Sequence, residues 1–206
     1  YKVYNGNLLY HGCVPLKEDG NLKSVRIFGH TYKGKGLYEV LESYVRKGFY
    51  AMDSKEKERG KDIMWYIWLS ENSPLFGKDK MATFERYFLA EKETHKEKKN
   101  PYYLLLEDEK VICHILKEFG LENEDAHIIN GHVPVKCKDG EKPIKCGGKV
   151  LVIDGGFSRA YQKETGIAGY TLIYNSYGLI LAAHEPFEST EAAIEKESDI
   201  HSDSTV

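Results

Sequence analysis

The pattern of hydrophobic and polar positions changes twice along the chain. From residue 1 to 28, short apolar runs such as NLLYHG and SVRIF flank VPLKEDGN, whose Pro, Asp and Gly favour turns. From 34 to 120 apolar residues recur every three or four positions, the spacing of helices. Beyond 126 short strand-like runs return. The pattern predicts a mixed α/β fold, with a helical block between two β-rich regions that we expect to form one sheet system.

Helices are predicted throughout the central block. Gly120 is placed to end the last of them. The charged stretches KEKERGKD and EKETHKEKK mix both signs, which is typical of a solvated helical face or loop. The predicted helical segments are GLYEVLESYVRKGF, KDIMWYIWLSE, KMATFERYFLAEK and NPYYLLLEDEKVICHILKEFG.

Several large side chains of the block are predicted to be buried. Trp65, Tyr66 and Trp68 are expected in its core, because adjacent residues cover much of a helix's circumference, although part of this cluster could line a sugar site. His114 lies among apolar residues of KVICHILKEFG and is expected at the core or its boundary.

Strands, one hairpin and a last helix are predicted in the C-terminal region. NSYG between two strand-like runs is a hairpin signal. STEAAIEKE is predicted to be a helix with Ser189 or Thr190 near its N-cap. The predicted strands are AHIIN, KVLVID, GYTLIYN and GLILAAHE.

Composition restricts the classes of partner. The chain has 206 residues, 41% of them hydrophobic and 30% charged, which is typical of a soluble globular protein. Its net charge of -3 gives no sign of a nucleic-acid partner. No apolar run approaches the roughly 20 residues needed to span a bilayer, and the first residues lack the pattern of a signal peptide. We therefore expect a cytoplasmic protein.

The four cysteines, Cys13, Cys113, Cys137 and Cys146, are compatible with two disulfides, one metal cage or four thiols. Cys137 and Cys146 lie too far apart for the short C-x(2-4)-C spacing of structural zinc sites. Reduced thiols are the expectation for a cytoplasmic protein.

Two histidines stand in matching contexts. His11 follows the strand-like run NLLY, and His132 follows HIIN and Gly131. Imidazole is a common ligand of transition metals, and the ends of strands are rigid positions from which a turn can direct a ligand. Each histidine alone is more often structural, but the repetition makes a metal-binding role a serious hypothesis. We expect the glycine turn to direct His132 inward.

The sequence resembles a known family over nearly its whole length. The segment similar to that family's C-terminal stretch is NGHVPVKCKDGEKPIKCGGKVLVIDGGFSRAYQKETGIAGYTLIYNSYGLILAAHEPFES, and NGNLLYHGCVPL and WYIWLSENSPLFGKDKMATFERYF are similar to its central part. The family is the class III, Firmicutes-type fructose-1,6-bisphosphatases of the calcineurin-like metallophosphoesterase superfamily. Its members are several hundred residues long, so the resemblance implies a C-terminal fragment of about one third. A start without Met, inside a strand-like run, agrees with that expectation.

The resemblance also implies a two-metal site. His11 matches the single histidine that follows a strand in the superfamily, and His132 matches its final G-H motif. Both would bind the same ion, completed by an upstream Asn and a bridging Asp. The preceding D-x-H, G-D-x-x-D-R and G-N-H-[DE] motifs are expected in the missing N-terminal part. The family implies manganese, whereas the ligand types alone also suit iron or zinc.

Some segments imitate these motifs. Asp125-Ala126-His127 and Asp199-Ile200-His201 both satisfy D-x-H, but the first precedes its strand and the second lies in a polar tail. Gly29-His30-Thr31 has the commoner spelling of the G-H motif, but it leads into the helical block. His132 leads into KVLVIDGGF, as the family pattern requires, and is therefore preferred.

Further residues are candidates for supporting roles. Asp154 could accept a hydrogen bond from a ligating imidazole, although an Asp before two glycines more often forms a turn. A second substrate phosphate would need cations. Lys78, Lys80 and Arg86 surround a predicted helix start, and Arg159 with Lys163 follows a glycine turn; exposed positions without a ligand are the simpler interpretation of both sets.

The sequence and the resemblance together predict part of a calcineurin-like α/β sandwich. Residues 1–28 and 126–187 would form its β-rich core, 34–120 a helical insert, and 188–206 a terminal helix and tail. The intact protein would hydrolyse fructose 1,6-bisphosphate to fructose 6-phosphate and phosphate in gluconeogenesis, with regulation by small metabolites. Its expected partners are the sugar bisphosphate and the missing N-terminal part, with a homo-oligomer left open. The alternatives are another metallophosphoesterase, such as a protein phosphatase or dinucleotide hydrolase, and a non-catalytic binding module.

Overall fold

The computed structural model describes residues 1–166, 169–184, 187–197 and 201–205, with the side chains of 159–161 and 201–205 excepted. The chain divides into two compact units. Unit 1 is Tyr1 with His11–Glu122, and unit 2 is Lys2–Tyr10 with Asn123–Val206. Strands and helices both contribute, so the predicted mixed α/β class is confirmed.

The strands follow one another in chain order as β1 to β10. Their bounds are Lys2–Tyr4 (β1), Asn7–Leu9 (β2), Val25–Ile27 (β3), His30–Tyr32 (β4), Ile128–Asn130 (β5), Ile144–Lys145 (β6), Val150–Val152 (β7), Gly169–Asn175 (β8), Gly178–His184 (β9) and His201–Thr205 (β10).

The central sheet of unit 2 has the strand order β1-β2-β5-β7-β6. Its middle strands are parallel: β2 pairs with β5 in the register Leu8↔Ile128, and β5 pairs with β7 in the register Ile128↔Val150. Strands from both ends of the sequence therefore share one sheet, as predicted for β2, β5 and β7. The strands β3 and β4 instead form a separate two-stranded ribbon within unit 1.

A second sheet of unit 2, in the order β10-β9-β8, packs on the first. Ile129 of β5 and Leu151 of β7 share a buried apolar cluster with Leu179 of β9, so the two sheets have a common core. The predicted hairpin is confirmed, since Asn175 pairs with Gly178 across a two-residue turn. The strand β10, which pairs with β9, was not predicted from its polar sequence.

The helices are numbered in the same way. Their bounds are Gly34–Tyr50 (α1), Ser54–Leu69 (α2), Thr83–Phe88 (α3), Glu109–Glu118 (α4), Arg159–Thr165 (α5) and Thr190–Glu195 (α6). Short 3-10 turns lie at Lys92–His95, Pro101–Leu104, Cys137–Asp139 and Cys146–Gly148. Among the described residues, none of the helices has the length and apolar content that crossing a membrane requires.

Local capping explains where the helices begin and end. Asp53 accepts a hydrogen bond from the backbone N–H of Glu56, so α2 starts within the charged stretch that precedes the predicted segment. Ser189 caps α6 through the N–H of Ala192, as predicted. Gly120 follows α4 with a φ of 83°, which confirms it as the stop.

The prediction of one helix over NPYYLLLEDEKVICHILKEFG is wrong in its first half. The buried Asn100 accepts from the N–H groups of Leu16 and Tyr102 and holds a 3-10 turn there. The helix α4 begins only after Asp108, which caps it. His114 on this helix is exposed, because the buried stripe runs through Ile112, Ile115 and Leu116, so its predicted core position is wrong.

The antiparallel helices α1 and α2 form a hairpin whose inner face packs on the β3–β4 ribbon. Leu37 and Leu41 of α1 and Ile63 of α2 are buried against Val25 and Ile27 of β3. Tyr66 packs on this core, as predicted. The prediction of a core position is wrong for the two tryptophans, since Trp65 is 61% and Trp68 60% exposed.

Candidate metal-binding and phosphate-binding residues

His132 occupies a strained turn immediately after β5. The N–H of Val133 donates to the carbonyl of Gly131 at 2.8 Å, which closes a three-residue γ-turn centred on His132. Its φ of 69° lies in the left-handed region, which residues with a side chain rarely adopt, and γ-turns of this hand are rare and strained. The expectation that a glycine provides this turn is therefore wrong: His132, and not Gly131, has the left-handed φ. Such strain is concentrated at functional sites.

The turn is anchored on both sides to the end of β7. The N–H of Ile153 donates to the carbonyl of Asn130 at 2.9 Å, before the turn. After it, the N–H of Val135 donates to the carbonyl of Asp154 at 2.7 Å, and the Val135 side chain is fully buried. These bonds fix the backbone around His132, which is what a ligand position needs.

Asp154 forms a turn of its own. Its Oδ1 accepts a hydrogen bond from the N–H of Gly156 at 3.0 Å. This oxygen therefore forms the turn that an Asp before two glycines favours. The backbone of Asp154 bonds the segment that carries His132. Its predicted support of a ligating imidazole stays a prediction.

His11 is exposed and lies two residues beyond the end of β2. The next two residues hold the backbone in place. The N–H of Cys13 donates to the carbonyl of Pro74 at 2.8 Å, and Gly12 lies so close to the backbone of Pro74 and Leu75 that a Cβ would not fit. His11 belongs to unit 1 and His132 to unit 2.

The imitating motifs have other structural explanations. His127 precedes β5, and its Nδ1 lies 3.0 Å from Oδ1 of Asn7, at the opposite end of the strand from His132. Phe28 and Gly29 both have positive φ and join β3 to β4 in a two-residue turn, so His30 begins a hairpin strand. Asp199 and Ile200 lie outside the described residues, as does the side chain of His201.

His127 also gives the chain a pH dependence. Burial first, and Lys149 in addition, lower the pKa of His127 from its usual 6.5. Below that pH the unfolded chain binds a proton that the folded chain takes up only at lower pH. This contribution to stability is therefore complete above about pH 6.5 and is lost as the pH falls through the folded pKa.

We expect His127→Gln to flatten the decline of the unfolding free energy below about pH 6.5. The slope that it removes stays below the limit of about 1.4 kcal/mol per pH unit for one proton, because His127 is only partly buried. Urea unfolding at a series of pH values measures this slope. His30→Gln, at an exposed position, is the control. An unchanged slope in His127→Gln would contradict the prediction.

The predicted cationic set in unit 1 is held by the chain's own carboxylate. Glu97, whose side chain is 15% exposed, pairs with Lys78 at 2.9 Å and Arg86 at 3.4 Å. It also accepts the N–H of Ala82 at 3.0 Å, immediately before α3, and Lys80 donates to the carbonyl of Thr94 at 2.6 Å. Burial opposes ionisation of Glu97, but the N–H and the two cations outweigh it and lower its pKa.

Glu97 was missed as an organising residue. It lies in a charge run, EKETHKEKK, that is mostly exposed, and its partners are distant in sequence, so no local pattern could indicate it. Arg159 begins α5, but its side chain lies outside the described residues. Lys163 is exposed, and its backbone carbonyl accepts the side chain of Lys138.

The four cysteines are free thiols, and Cys13 is fully buried. Burial raises the pKa of Cys13 to about 12, so this thiol stays protonated. Among the residues whose side chains the structure describes, no three His, Cys, Asp or Glu side chains are grouped closely enough to hold a metal ion.

Comparison with known proteins gives one consistent result. The Firmicute fructose-1,6-bisphosphatase family matches residues 1–206. The chain is 58% identical to the class 3 fructose-1,6-bisphosphatase of Clostridium acetobutylicum and 61% identical to that of Clostridioides difficile, each over 207 aligned residues. All of the chain is covered, but only 31% of each relative. No solved structure matches the chain.

Proposed function

Because this chain belongs to the Firmicute fructose-1,6-bisphosphatase family, we propose that it is one part of a longer enzyme that hydrolyses fructose 1,6-bisphosphate to fructose 6-phosphate and phosphate. The chain spans about a third of the length of the relatives that it matches, and those relatives are named as fructose-1,6-bisphosphatases. The remaining part would lie N-terminal to it. A role in gluconeogenesis and a place in the cytoplasm belong to the same proposal.

The architecture of unit 2 supports a calcineurin-like sandwich. Two sheets share a buried core, and the first contains the parallel strands β2, β5 and β7. In such an arrangement the carboxyl ends of parallel strands lie at one edge, where α/β proteins place their ligands.

We propose His11 and His132 as ligands of one metal ion, and the strained turn at His132 is the observation that carries this proposal. A γ-turn with a φ of 69° costs conformational energy, and such strain is concentrated at functional sites. The family pattern supports the assignment, because His11 matches its single histidine after a strand and His132 matches its final G-H motif. Imidazole nitrogens suit manganese, iron or zinc, and manganese is proposed from the family resemblance.

The chemistry explains the choice of residues. When bound, a pair of ions would activate water and neutralise charge on the phosphate oxygens. The chain's own part is to hold two imidazoles in fixed positions at the ends of strands. Asp154 is the proposed acceptor for a ligating histidine, since its backbone carbonyl accepts a hydrogen bond from the N–H of Val135 in the segment that carries His132.

Two separate cationic sets are proposed for the second phosphate of the substrate: Lys78, Lys80 and Arg86 in unit 1, and Arg159 in unit 2. Lys78 and Arg86 already pair with Glu97, so a phosphate there would have to replace a carboxylate. Because the two anions present similar oxygens to the same cations, such an exchange is chemically reasonable.

The test is reconstitution. The isolated chain, supplied with manganese and fructose 1,6-bisphosphate, is expected to release no phosphate above background, because the motifs expected for the remaining ligands are not in its sequence. Mixing or co-expressing it with the preceding part of the polypeptide is expected to restore manganese-dependent turnover. Phosphate release is measured in each case.

Three results would overturn the proposal. Turnover by the isolated chain would show that it contains a complete site. A reconstituted protein that binds its two parts but hydrolyses no phosphate ester would favour the non-catalytic binding module. A restored protein that prefers phosphoproteins or dinucleotides would favour the other metallophosphoesterases.

A further inference from the structure

The helical hairpin of unit 1 has a second apolar face, on the side away from its core. Phe49 is 79% exposed, Met64 54%, Trp65 61% and Trp68 60%. These side chains, with Val45, line a groove of about 670 Å³ between α1 and α2. We call the surface formed by Val45, Phe49, Met64, Trp65 and Trp68 the hairpin face.

The hairpin face is unusual for a solvent-exposed helix surface. Residues of this size are usually buried, and an exposed group of them usually marks an interaction site. The sequence contains only two tryptophans, and both belong to this face. Tryptophan is also enriched among the residues that contribute most to binding between proteins.

We propose that the hairpin face docks onto the same face of a second copy of this chain, so that two α1–α2 hairpins form a four-helix bundle around a two-fold axis. In such an interface the same patch is used on both partners, and it must be complementary to itself. Two antiparallel helices bury only one face against their own core. A second hairpin of the same kind can cover the other face, as paired hairpins do in four-helix bundles.

The exposed area is sufficient for such a dimer. A fully buried side chain of this size removes roughly 150–250 Å² from solvent, so the exposed parts of the four largest give on the order of 500 Å² per copy. Two copies would bury about 1,000 Å² through these side chains alone, which reaches the lower bound for a specific interface.

The charges of the hairpin permit self-association. Residues 34–69 contain seven Lys or Arg and six Asp or Glu, so two copies carry almost no net repulsion. Lys57 and Lys61 line the groove, and Glu56 and Asp62 lie on the same helix. Among the described residues, Lys57, Glu56 and Asp62 form no ion pair within the chain. Glu58 pairs with Lys61 at 3.5 Å, so Lys57 is the groove cation that a second copy would have to accommodate.

Sedimentation equilibrium tests the proposal directly. Over about a hundredfold range of micromolar concentrations, the chain is expected to change from monomer to dimer. Because Trp65 and Trp68 are the only tryptophans, their emission should shift to shorter wavelength and become less accessible to acrylamide as the dimer forms. Trp65→Ser with Trp68→Ser is expected to weaken dimerisation at least about 30-fold.

A matched variant separates this face from apolar exposure in general. Phe84 and Phe88 on α3 are 72% and 78% exposed in the same unit. Phe84→Ser with Phe88→Ser is expected to leave the dimer unchanged, and circular dichroism confirms that both variants fold. A chain that stays monomeric, or a dimer that only the α3 variant disrupts, would overturn the proposal.

Discussion

Replacing His132 with alanine in the intact enzyme is expected to lower manganese-dependent hydrolysis of fructose 1,6-bisphosphate by more than about 100-fold. Loss of a residue that only supports a ligand typically costs about 10–100-fold, and loss of a ligand should cost more. The variant is also expected to bind less manganese, because a proposed imidazole ligand is absent. Initial rates and the metal content of the purified protein measure the two effects separately.

The His132 variant has a matched control in His30→Ala. Both histidines follow a glycine, but His30 is exposed at the start of a hairpin strand. Activity and metal content of His30→Ala are expected to equal those of the unmodified enzyme. If His132→Ala keeps both properties, or if His30→Ala loses them, the assignment of the final G-H motif to His132 is wrong.

Stability has to be measured in parallel, because His132 adopts a left-handed backbone. Alanine is no better suited than histidine to a φ of 69°, so the change removes the imidazole without relieving the strain. We therefore expect little change in the unfolding free energy. A glycine at this position should stabilise the fold while still removing activity, which is the behaviour of a strained functional residue.

The sequence predicted the strands β2, β5, β7, β8 and β9 of unit 2 because the runs that indicate them are local. Short β-branched runs indicate strands, and Asn175, Ser176, Tyr177 and Gly178 indicate a turn, wherever the rest of the chain lies. Similarly, Ser189 and Gly120 mark helix ends through their own conformational preferences. These features were correct because short segments determine them.

Features that depend on distant partners were not predicted. The 3-10 turn after Asn100 exists because that side chain also bonds Leu16, 84 residues away. Glu97 is organised by Lys78 and Arg86, and nothing near it in sequence indicates this. Trp65 and Trp68 were expected in the core because adjacent large residues cover much of a helix's circumference, but this does not show what covers each of them.

The candidate metal residues lie between these two cases. The sequence alone showed that His11 and His132 each follow a strand-like run and that each matches a motif of the family. The γ-turn at His132 was not visible, because glycine precedes it and the left-handed conformation is normally attributed to glycine. The strain is therefore an observation about His132 that does not depend on the resemblance.

The second large effect is expected at the crossing of α1 and α2. Gly48 and Gly60 face each other there: a Cβ on Gly48 would lie 2.6 Å from the Cα of Gly60, and a Cβ on Gly60 would lie 2.7 Å from the Cα of Gly48. Backbone atoms cannot rotate away, so the helices would have to separate. We expect Gly48→Ala and Gly60→Ala each to lower the unfolding free energy by about 1–2 kcal/mol, after overpacking is offset by the better helix propensity of alanine.

Gly36→Ala is the matched control, because the same substitution in α1 meets nothing within 4 Å. It is expected to be neutral or to stabilise the chain by up to about 1 kcal/mol. Urea unfolding followed by tryptophan emission reports on this hairpin, since both tryptophans lie on α2. Equal effects at positions 36, 48 and 60 would contradict the proposed steric cause.

The double variant tests the steric cause more sharply than the two single variants do. Once one alanine has forced the helices apart, the second should cost less, so Gly48→Ala with Gly60→Ala is expected to destabilise the chain by less than the sum of the single variants. The difference between that sum and the effect of the double variant is the coupling free energy between positions 48 and 60. Strict additivity would mean that each alanine acts on its own surroundings, and the contact between the two glycines would then not determine how closely α1 and α2 pack.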